Sequence, residues 1–231
     1  MKKSLFATLA LAAAITTAQA QVTIAPEVGL NMATMNMKVN DLYGGTFKYD
    51  TKSRAGLAAG AVADIPVITC LSVQPGLFYE MTGTDFTQAQ NNPGGDWALN
   101  TLVLPVNIEY KTGQPGSNRF FAGVGPYVAY NPSGNYTYHA DPALNSVDAS
   151  GALKIGSTKG KDDLKAIDFG LGVNAGYMIA MGLYLKAHYQ IGLTNLDVYG
   201  DSKDAYKTSA YGITLGYVIG ANKGKAKKGV K

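Results

Sequence analysis

Charged and amide side chains recur at alternate positions in several segments of this chain, opposite runs of apolar residues on the other parity. Alternate positions of a β-strand lie on one face, so these groups would share one interior. The chemistry available to them is charge pairing and hydrogen bonding, or a path for protons or small ions. The candidate set is Glu27, Asn31, Arg54, Gln74, Glu80, Asn107, Glu109, Asp168, Asn174, Lys186, His188 and Gln190.

All three glutamates of the chain fall on this polar parity. We expect the cations of the set to pair with its carboxylates, because a buried charge without a partner is costly. The cations are Arg54, Lys186 and His188, and the carboxylates are Glu27, Glu80, Glu109 and Asp168. Two interpretations stay open: a structural network that fills the interior, or a gated path for protons or small ions.

A catalytic site would need a nucleophile with its base, or a cluster of metal ligands. The chain has two histidines, His139 and His188, which are far apart and show no metal-ligand spacing. The segment that holds His188 contains no serine. The sequence therefore predicts no catalysis, no metal and no cofactor.

Eight segments of about ten residues carry the alternation and predict eight strands. Their ranges are 23–33, 54–63, 71–82, 97–110, 119–130, 165–177, 183–194 and 208–220. Long connections at 34–53, 83–96, 131–164 and 195–207 alternate with short ones at 64–70, 111–118 and 178–182. Segments of this length and this alternation of connections are typical of a transmembrane β-barrel with short periplasmic turns and long outer loops.

The free-energy cost of placing a charged side chain in a bilayer indicates which face of the strands points toward lipid and which points inward. A lysine or arginine on the lipid side near the midplane costs roughly 2–4 kcal/mol, so the polar parity is expected to point inward. The opposite parity is apolar, with tyrosines near its ends. The predicted fold is all-β: a closed antiparallel up-and-down barrel of eight strands in the outer membrane.

A soluble β-sandwich would alternate in the same way and is the alternative fold. Two observations disfavour it. Many inward positions are glycine, which suits a narrow and crowded barrel interior better than a solvent-facing strand. The long and short connections also alternate strictly, which a sandwich does not require.

The N-terminus predicts export. Lys2 and Lys3 precede the apolar run 5–15, and Ala18 to Ala20 offer a small-residue cleavage site, so residues 1–20 are expected to be a signal peptide. The run is too short for the alternative, a transmembrane helix. We expect the barrel domain at 21–222 and a lysine-rich tail at 223–231.

The net charge of +4 arises at the two ends of the chain, because residues 21–222 sum to −3. The basic character is therefore no argument for nucleic-acid binding. The tail is either a solvated periplasmic extension or an electrostatic contact to an anionic envelope component such as lipid headgroups.

Five segments resemble the PorT-like family of outer-membrane β-barrels of Gram-negative bacteria. They are LSVQPGLFYEMTG at 71–83, LVLPVNIEYKTG at 102–113, RFFAGVGPYVAY at 119–130, DFGLGVNAGY at 168–177 and GLYLKAHYQIGLTNL at 182–196. Prolines inside strands, at Pro75, Pro105 and Pro126, are the most specific part, because strands normally avoid proline. The resemblance implies an integral outer-membrane protein connected with protein secretion. His188 stands where the family pattern has arginine, which puts any role of that cation in doubt.

The third outer loop, 131–164, is the longest and holds a candidate contact cluster of Tyr130, Tyr136, Tyr138 and His139. These side chains either touch an outside partner or mark the membrane interface. We expect a monomer that contacts outer-membrane lipids and has a structural or interaction role, with an envelope or secretion protein as partner. A narrow passive pore or transporter for small solutes is the alternative, and a lipid-modifying outer-membrane enzyme is less favoured.

Overall fold

The structure is a computed structural model that describes residues 22–40, 46–48, 50–87, 94–139, 147–198 and 204–219. The predicted signal peptide 1–20 and the lysine tail 223–231 lie outside the described residues, as do parts of the outer connections. No helix among the described residues is long and apolar enough to cross a membrane.

Eight long strands and two short ones are present within those ranges. They are β1 (Thr23–Asn40), β2 (Thr46–Lys48), β3 (Thr51–Ile68), β4 (Leu71–Phe86), β5 (Gly95–Lys111), β6 (Arg119–Tyr138), β7 (Ala149–Ala152), β8 (Ile167–Met178), β9 (Leu183–Gly192) and β10 (Ala205–Tyr217). The long strands pair with their neighbours antiparallel, and β10 pairs back to β1 from Glu27↔Gly216 to Lys38↔Ala205. The predicted closed eight-stranded barrel is confirmed, and the short strands β2 and β7 are additions on β1 and β6.

The barrel is polar inside and apolar outside. Along β9 the even positions from Tyr184 to Gly192 are buried or half-buried, whereas the odd positions are exposed. Leu185 is 56% exposed although it is apolar, and Glu109 is 2% exposed although it carries a carboxylate. A water-soluble sandwich would show the reverse, because its apolar side chains would form the core. The distribution fits a barrel that faces lipid.

Aromatic side chains mark two levels of the lipid-facing surface. Exposed tyrosines near the middle of β4, β6 and β10 and near the outer end of β9 form the outer girdle, which consists of Tyr79, Tyr130, Tyr211 and Tyr189. A second girdle near the short turns consists of Tyr110, Phe120, Tyr177 and Tyr217. Such girdles sit at the two membrane–water interfaces of outer-membrane barrels. They delimit the part of each strand that faces hydrocarbon.

Several strands are longer than the alternation predicted. β1 continues to Asn40 rather than to residue 33, and β6 continues to Tyr138, so the third loop does not begin at residue 131. β3 runs to Ile68, which reduces the predicted connection 64–70 to a two-residue turn. The physical reason is that a strand keeps its backbone pairing beyond the bilayer, where its outward side chains no longer need to be apolar.

Gly125 of β6 and Gly172 of β8 lie opposite each other and provide a matched test of how tightly the interior is packed. A Cβ on Gly125 would lie 2.0 Å from the carbonyl oxygen of Val106, whereas a Cβ on Gly172 would lie 3.7 Å from its nearest neighbours. We expect Gly125→Ala to destabilise the barrel by about 1–3 kcal/mol, because backbone must move. Gly172→Ala is expected to be neutral or stabilising by up to about 1 kcal/mol.

The measurement is the urea midpoint of the protein refolded into lipid vesicles. Equal midpoints for the two variants would contradict the packing seen around Gly125.

Candidate functional site: the filled interior and the closed outer end

Glu27 of β1 is the centre of the most completely bonded group inside the barrel, which we call the Glu27 cluster (Glu27, Tyr184, Lys186, Thr214). The Lys186 ammonium lies 2.7 Å from Oε1 and 2.5 Å from Oε2 of Glu27. Tyr184 donates its hydroxyl to Oε1 at 2.6 Å, and Thr214 donates to Oε2 at 3.1 Å. Lys186 also lies over the ring of Phe78, 5.4 Å from its centroid. The carboxylate is thereby neutralised and fully hydrogen-bonded in a buried position.

A second group, the Lys111 cluster (Asp64, Gln74, Glu109, Lys111), lies closer to the short turns. Lys111 pairs with Asp64 at 2.6 Å and with Glu109 at 3.5 Å. Gln74 donates to both carboxylates, at 3.0 Å and 2.8 Å. Sequence reasoning missed Lys111 and Asp64, although Lys111 shares the inward parity of Glu109. It stood one residue beyond the predicted end of the strand, and Asp64 one residue beyond the end of another.

Arg54 does not pair with an interior glutamate, which corrects the prediction for this residue. Its Nε lies 3.3 Å from Asp96 and 3.9 Å from Asp85, at the outer ends of β5 and β4. The pairing of β3 with β4 shifts register between Ser53 and Ala58, so a β-bulge lies at this point. A bulge turns a side chain away from the face that strict alternation assigns to it.

The remaining members of the predicted set bond locally or line small cavities. Asn31 donates to Glu80 at 3.0 Å, and Asp168 accepts from the Thr208 hydroxyl at 2.5 Å. Asn107, Asn174, His188 and Gln190 line a cavity of about 40 Å³, next to the Glu27 cluster. That volume admits water but not a solute.

His188 lies inside the barrel, and the described residues contain no group of three or more His, Cys, Asp or Glu side chains that fits a metal ion. His139 is exposed at the outer end of β6. The two histidines therefore lie in separate places, one inside the barrel and one at its outer end.

An apolar cluster closes the outer end of the barrel, and we call it the outer cap. It consists of Met35, Met37, Phe86, Leu99, Leu153, Leu164 and Leu196. Leu164 and Leu196 are at most 1% exposed. These two leucines and Leu153 come from the connections that follow β7 and β9, so the cap fastens the outer loops to the strands.

Backbone bonds hold the loop segment 153–166 in place beside these side chains. Leu153 donates its amide to Gly134 at 2.9 Å, and Lys165 donates to Leu196 at 2.9 Å. Ile155 and Leu164 form a bridge across the base of the loop, which leaves 156–163 as a compact tip. Lys159 and Lys161 of the tip are exposed. The segment 153–166 of the third outer loop is thus an ordered element with a charged surface.

The four aromatic contact candidates do not form one exposed cluster, which corrects the sequence prediction. Tyr130 belongs to the outer girdle on the lipid-facing surface. Tyr136 and Tyr138 pack against the outer cap, and Tyr138 accepts a hydrogen bond from the Trp97 indole at 3.0 Å. His139 is exposed. Tyr130, Tyr136 and Tyr138 share one parity, but the pairing of β5 with β6 shifts register between Asn100 and Leu102. This β-bulge changes the inward parity of β6, so Tyr130 faces outward whereas Tyr136 and Tyr138 turn toward the cap.

Comparisons with known proteins identify the family and similar folds. Residues 17–198 match the family model described as outer membrane protein beta-barrel domain. OprG from Pseudomonas aeruginosa is 11% identical, with 86% of this chain and 96% of OprG covered and a TM-score of 0.49. Ail, the attachment invasion locus protein of Yersinia pestis, is 12% identical, with 86% of this chain and 99% of Ail covered and a TM-score of 0.41.

The outer membrane enzyme PagL is 10% identical, with 83% of this chain and 98% of PagL covered and a TM-score of 0.43. No curated protein sequence matches this chain. None of these structural likenesses transfers a function.

Proposed function

Because this chain belongs to the outer membrane protein beta-barrel domain family, we propose that it is a non-catalytic outer-membrane scaffold. In this proposal the closed barrel anchors the third outer loop, and the tip 156–163 contacts a protein partner of the envelope or the exterior. The barrel acts as a monomer surrounded by lipid.

The outer cap is the observation that carries the proposal. Leu153, Leu164 and Leu196 are buried in an apolar cluster. The free energy of this burial offsets the conformational entropy that the loop loses when it becomes ordered. An ordered loop binds a partner with a smaller entropic cost than a flexible one. Lys159, Lys161, Asp162 and Asp163 give the tip both signs of charge, which favours a specific polar contact over a purely apolar one.

The filled interior argues against the alternative of a narrow pore. The cavities between the Glu27 cluster, the Lys111 cluster and the outer cap have volumes of about 40, 40 and 20 Å³. An eight-stranded barrel has room for side chains but not for a water-filled channel of porin type. Passage of a solute would require the paired charges and the cap to separate.

The resemblance to the PorT-like family suggests which process the partner serves. Under that resemblance the contact would assist protein secretion across the outer membrane. Cleavage of a signal peptide at residue 20 is part of the same proposal.

Replacing 157–162 by a Gly-Ser linker of equal length tests the proposal, because the anchors Leu153, Ile155 and Leu164 remain. We expect the linker variant to fold but to lose the crosslinked partner that the native protein gives in intact cells. The readout is mass spectrometry of crosslinked complexes from the full-length protein.

A matched linker replacement of 113–117, in a turn at the opposite end, should keep the partner. Equal crosslinking of all three proteins would reject the loop as the contact. A stable single-channel conductance from the purified native protein would favour the pore instead.

A further inference from the structure

A groove of about 620 Å³ opens where β1, β10 and the outer end of β9 meet. β9 ends at Gly192, and its pairing with β10 reaches Ile191↔Ser209. β10 continues beside β1 as far as Ala205. Among the described residues no strand pairs with the outer part of β10 on the side of β9, and the Tyr206 carbonyl accepts a hydrogen bond from the Leu196 amide at 3.0 Å instead. The volume lies in the range of small-molecule binding sites.

Two lysines line this groove and are exposed, Lys38 of β1 and Lys207 of β10. Lys38 lies opposite Ala205, and Lys207 lies opposite Asn36, so the lysines are diagonal neighbours on the same outer face. Diagonal neighbours are about 7–8 Å apart, within reach of one shared anion. In the part of the chain that the structure describes, neither ammonium lies within salt-bridge distance of a carboxylate.

The groove has an apolar lower part on the lipid side. Tyr189 and Ile191 line it and are 43% and 44% exposed on the lipid-facing surface. Tyr211 of the outer girdle lies on the same face of β10 as Lys207, four residues closer to the bilayer centre. The lysines are consequently at the level of lipid headgroups, with apolar surface directly below them.

We propose that this groove binds the phosphate of an outer-leaflet lipid of the lipid A type. The phosphate lies between Lys38 and Lys207 and removes the repulsion between these two cations. An acyl chain lies along Tyr189 and Ile191. The site does not depend on the loop tip or on its partner, so it goes beyond the proposed scaffold function.

The test uses the full-length protein in nanodiscs of zwitterionic phospholipid that contain a minor fraction of diphosphoryl lipid A. Native mass spectrometry then counts the lipid A that stays bound. We expect Lys38→Gln/Lys207→Gln to weaken retention about thirtyfold, because each lysine at a charged membrane surface contributes about fivefold. Lys38→Arg/Lys207→Arg should retain the lipid.

The matched control is Lys159→Gln/Lys161→Gln, which removes the same charge from the exposed loop tip and should leave retention unchanged. Dephosphorylated lipid A should be lost from the native protein as readily as from the glutamine variant. Equal retention by the native and glutamine proteins would overturn the proposal. Displacement of lipid A by inorganic phosphate at comparable concentration would identify a site for the free anion instead.

Discussion

Replacing Lys186 by methionine is expected to destabilise the barrel by about 3–5 kcal/mol, because it leaves the buried Glu27 carboxylate without its cation. Tyr184 and Thr214 would still donate hydrogen bonds, at 2.6 Å and 3.1 Å, but neither carries a charge. Methionine keeps most of the volume and the contact with Phe78, so the effect should come from the lost charge pair. The measurement is the free energy of unfolding in urea, for protein refolded into vesicles.

Two further variants separate this effect from a general loss of lysine. Lys154→Met removes an exposed lysine from the outer loop and should change the unfolding free energy little. Glu27→Gln combined with Lys186→Met removes both charges and should recover part of the lost stability. If Lys186→Met has the same free energy of unfolding as the native protein, the Glu27 cluster does not stabilise the barrel. That result would favour the interpretation of the interior as an ion path.

Replacing Leu164 by alanine is expected to release the third outer loop from the barrel while the strands stay folded. Leu164 is 1% exposed in the outer cap, and truncation of a buried leucine costs about 2–5 kcal/mol. Cleavage by a protease follows the population of the open form when opening is fast. We therefore expect trypsin to cut after Lys159 or Lys161 at least about thirtyfold faster than in the native protein.

The assay is limited trypsin digestion of intact cells, followed by mass measurement of the fragments. Val147→Ala serves as control, because Val147 is 77% exposed and makes no part of the outer cap. Unchanged cleavage in Leu164→Ala would show that backbone bonds alone hold the loop.

The spanning part of the fold was predictable from sequence because lipid and lumen impose opposite demands on successive residues. Leu185 and Lys186 are neighbours in the chain, yet one faces lipid and the other pairs with Glu27. That contrast repeats every two residues, and it therefore predicts where the strands lie, which face of each strand points inward, and how many strands there are. The inward position of Glu27, Glu80 and Glu109 follows from the same rule.

The contacts within the site were harder to predict, because they depend on register between strands. A bulge near Arg54 directs that residue to Asp96, and no pattern within β3 signals it. The outer cap collects Met35 and Phe86 from the outer ends of two strands, and Leu153 and Leu196 from connections. Beyond the bilayer the outward side faces water, so apolar residues such as Met35 move to the inward parity and the pattern that marked the spanning strands no longer applies.

The pairing of β10 with β1 has a consequence for assembly. All three donors to the Glu27 carboxylate, Tyr184, Lys186 and Thr214, belong to the last two strands. Until those strands arrive, the first strand carries an uncompensated charge that opposes its transfer into hydrocarbon. Contacts this distant in sequence also form slowly. Insertion of the first hairpins alone is therefore disfavoured. The Glu27 carboxylate becomes paired only when β9 and β10 join β1 and close the barrel.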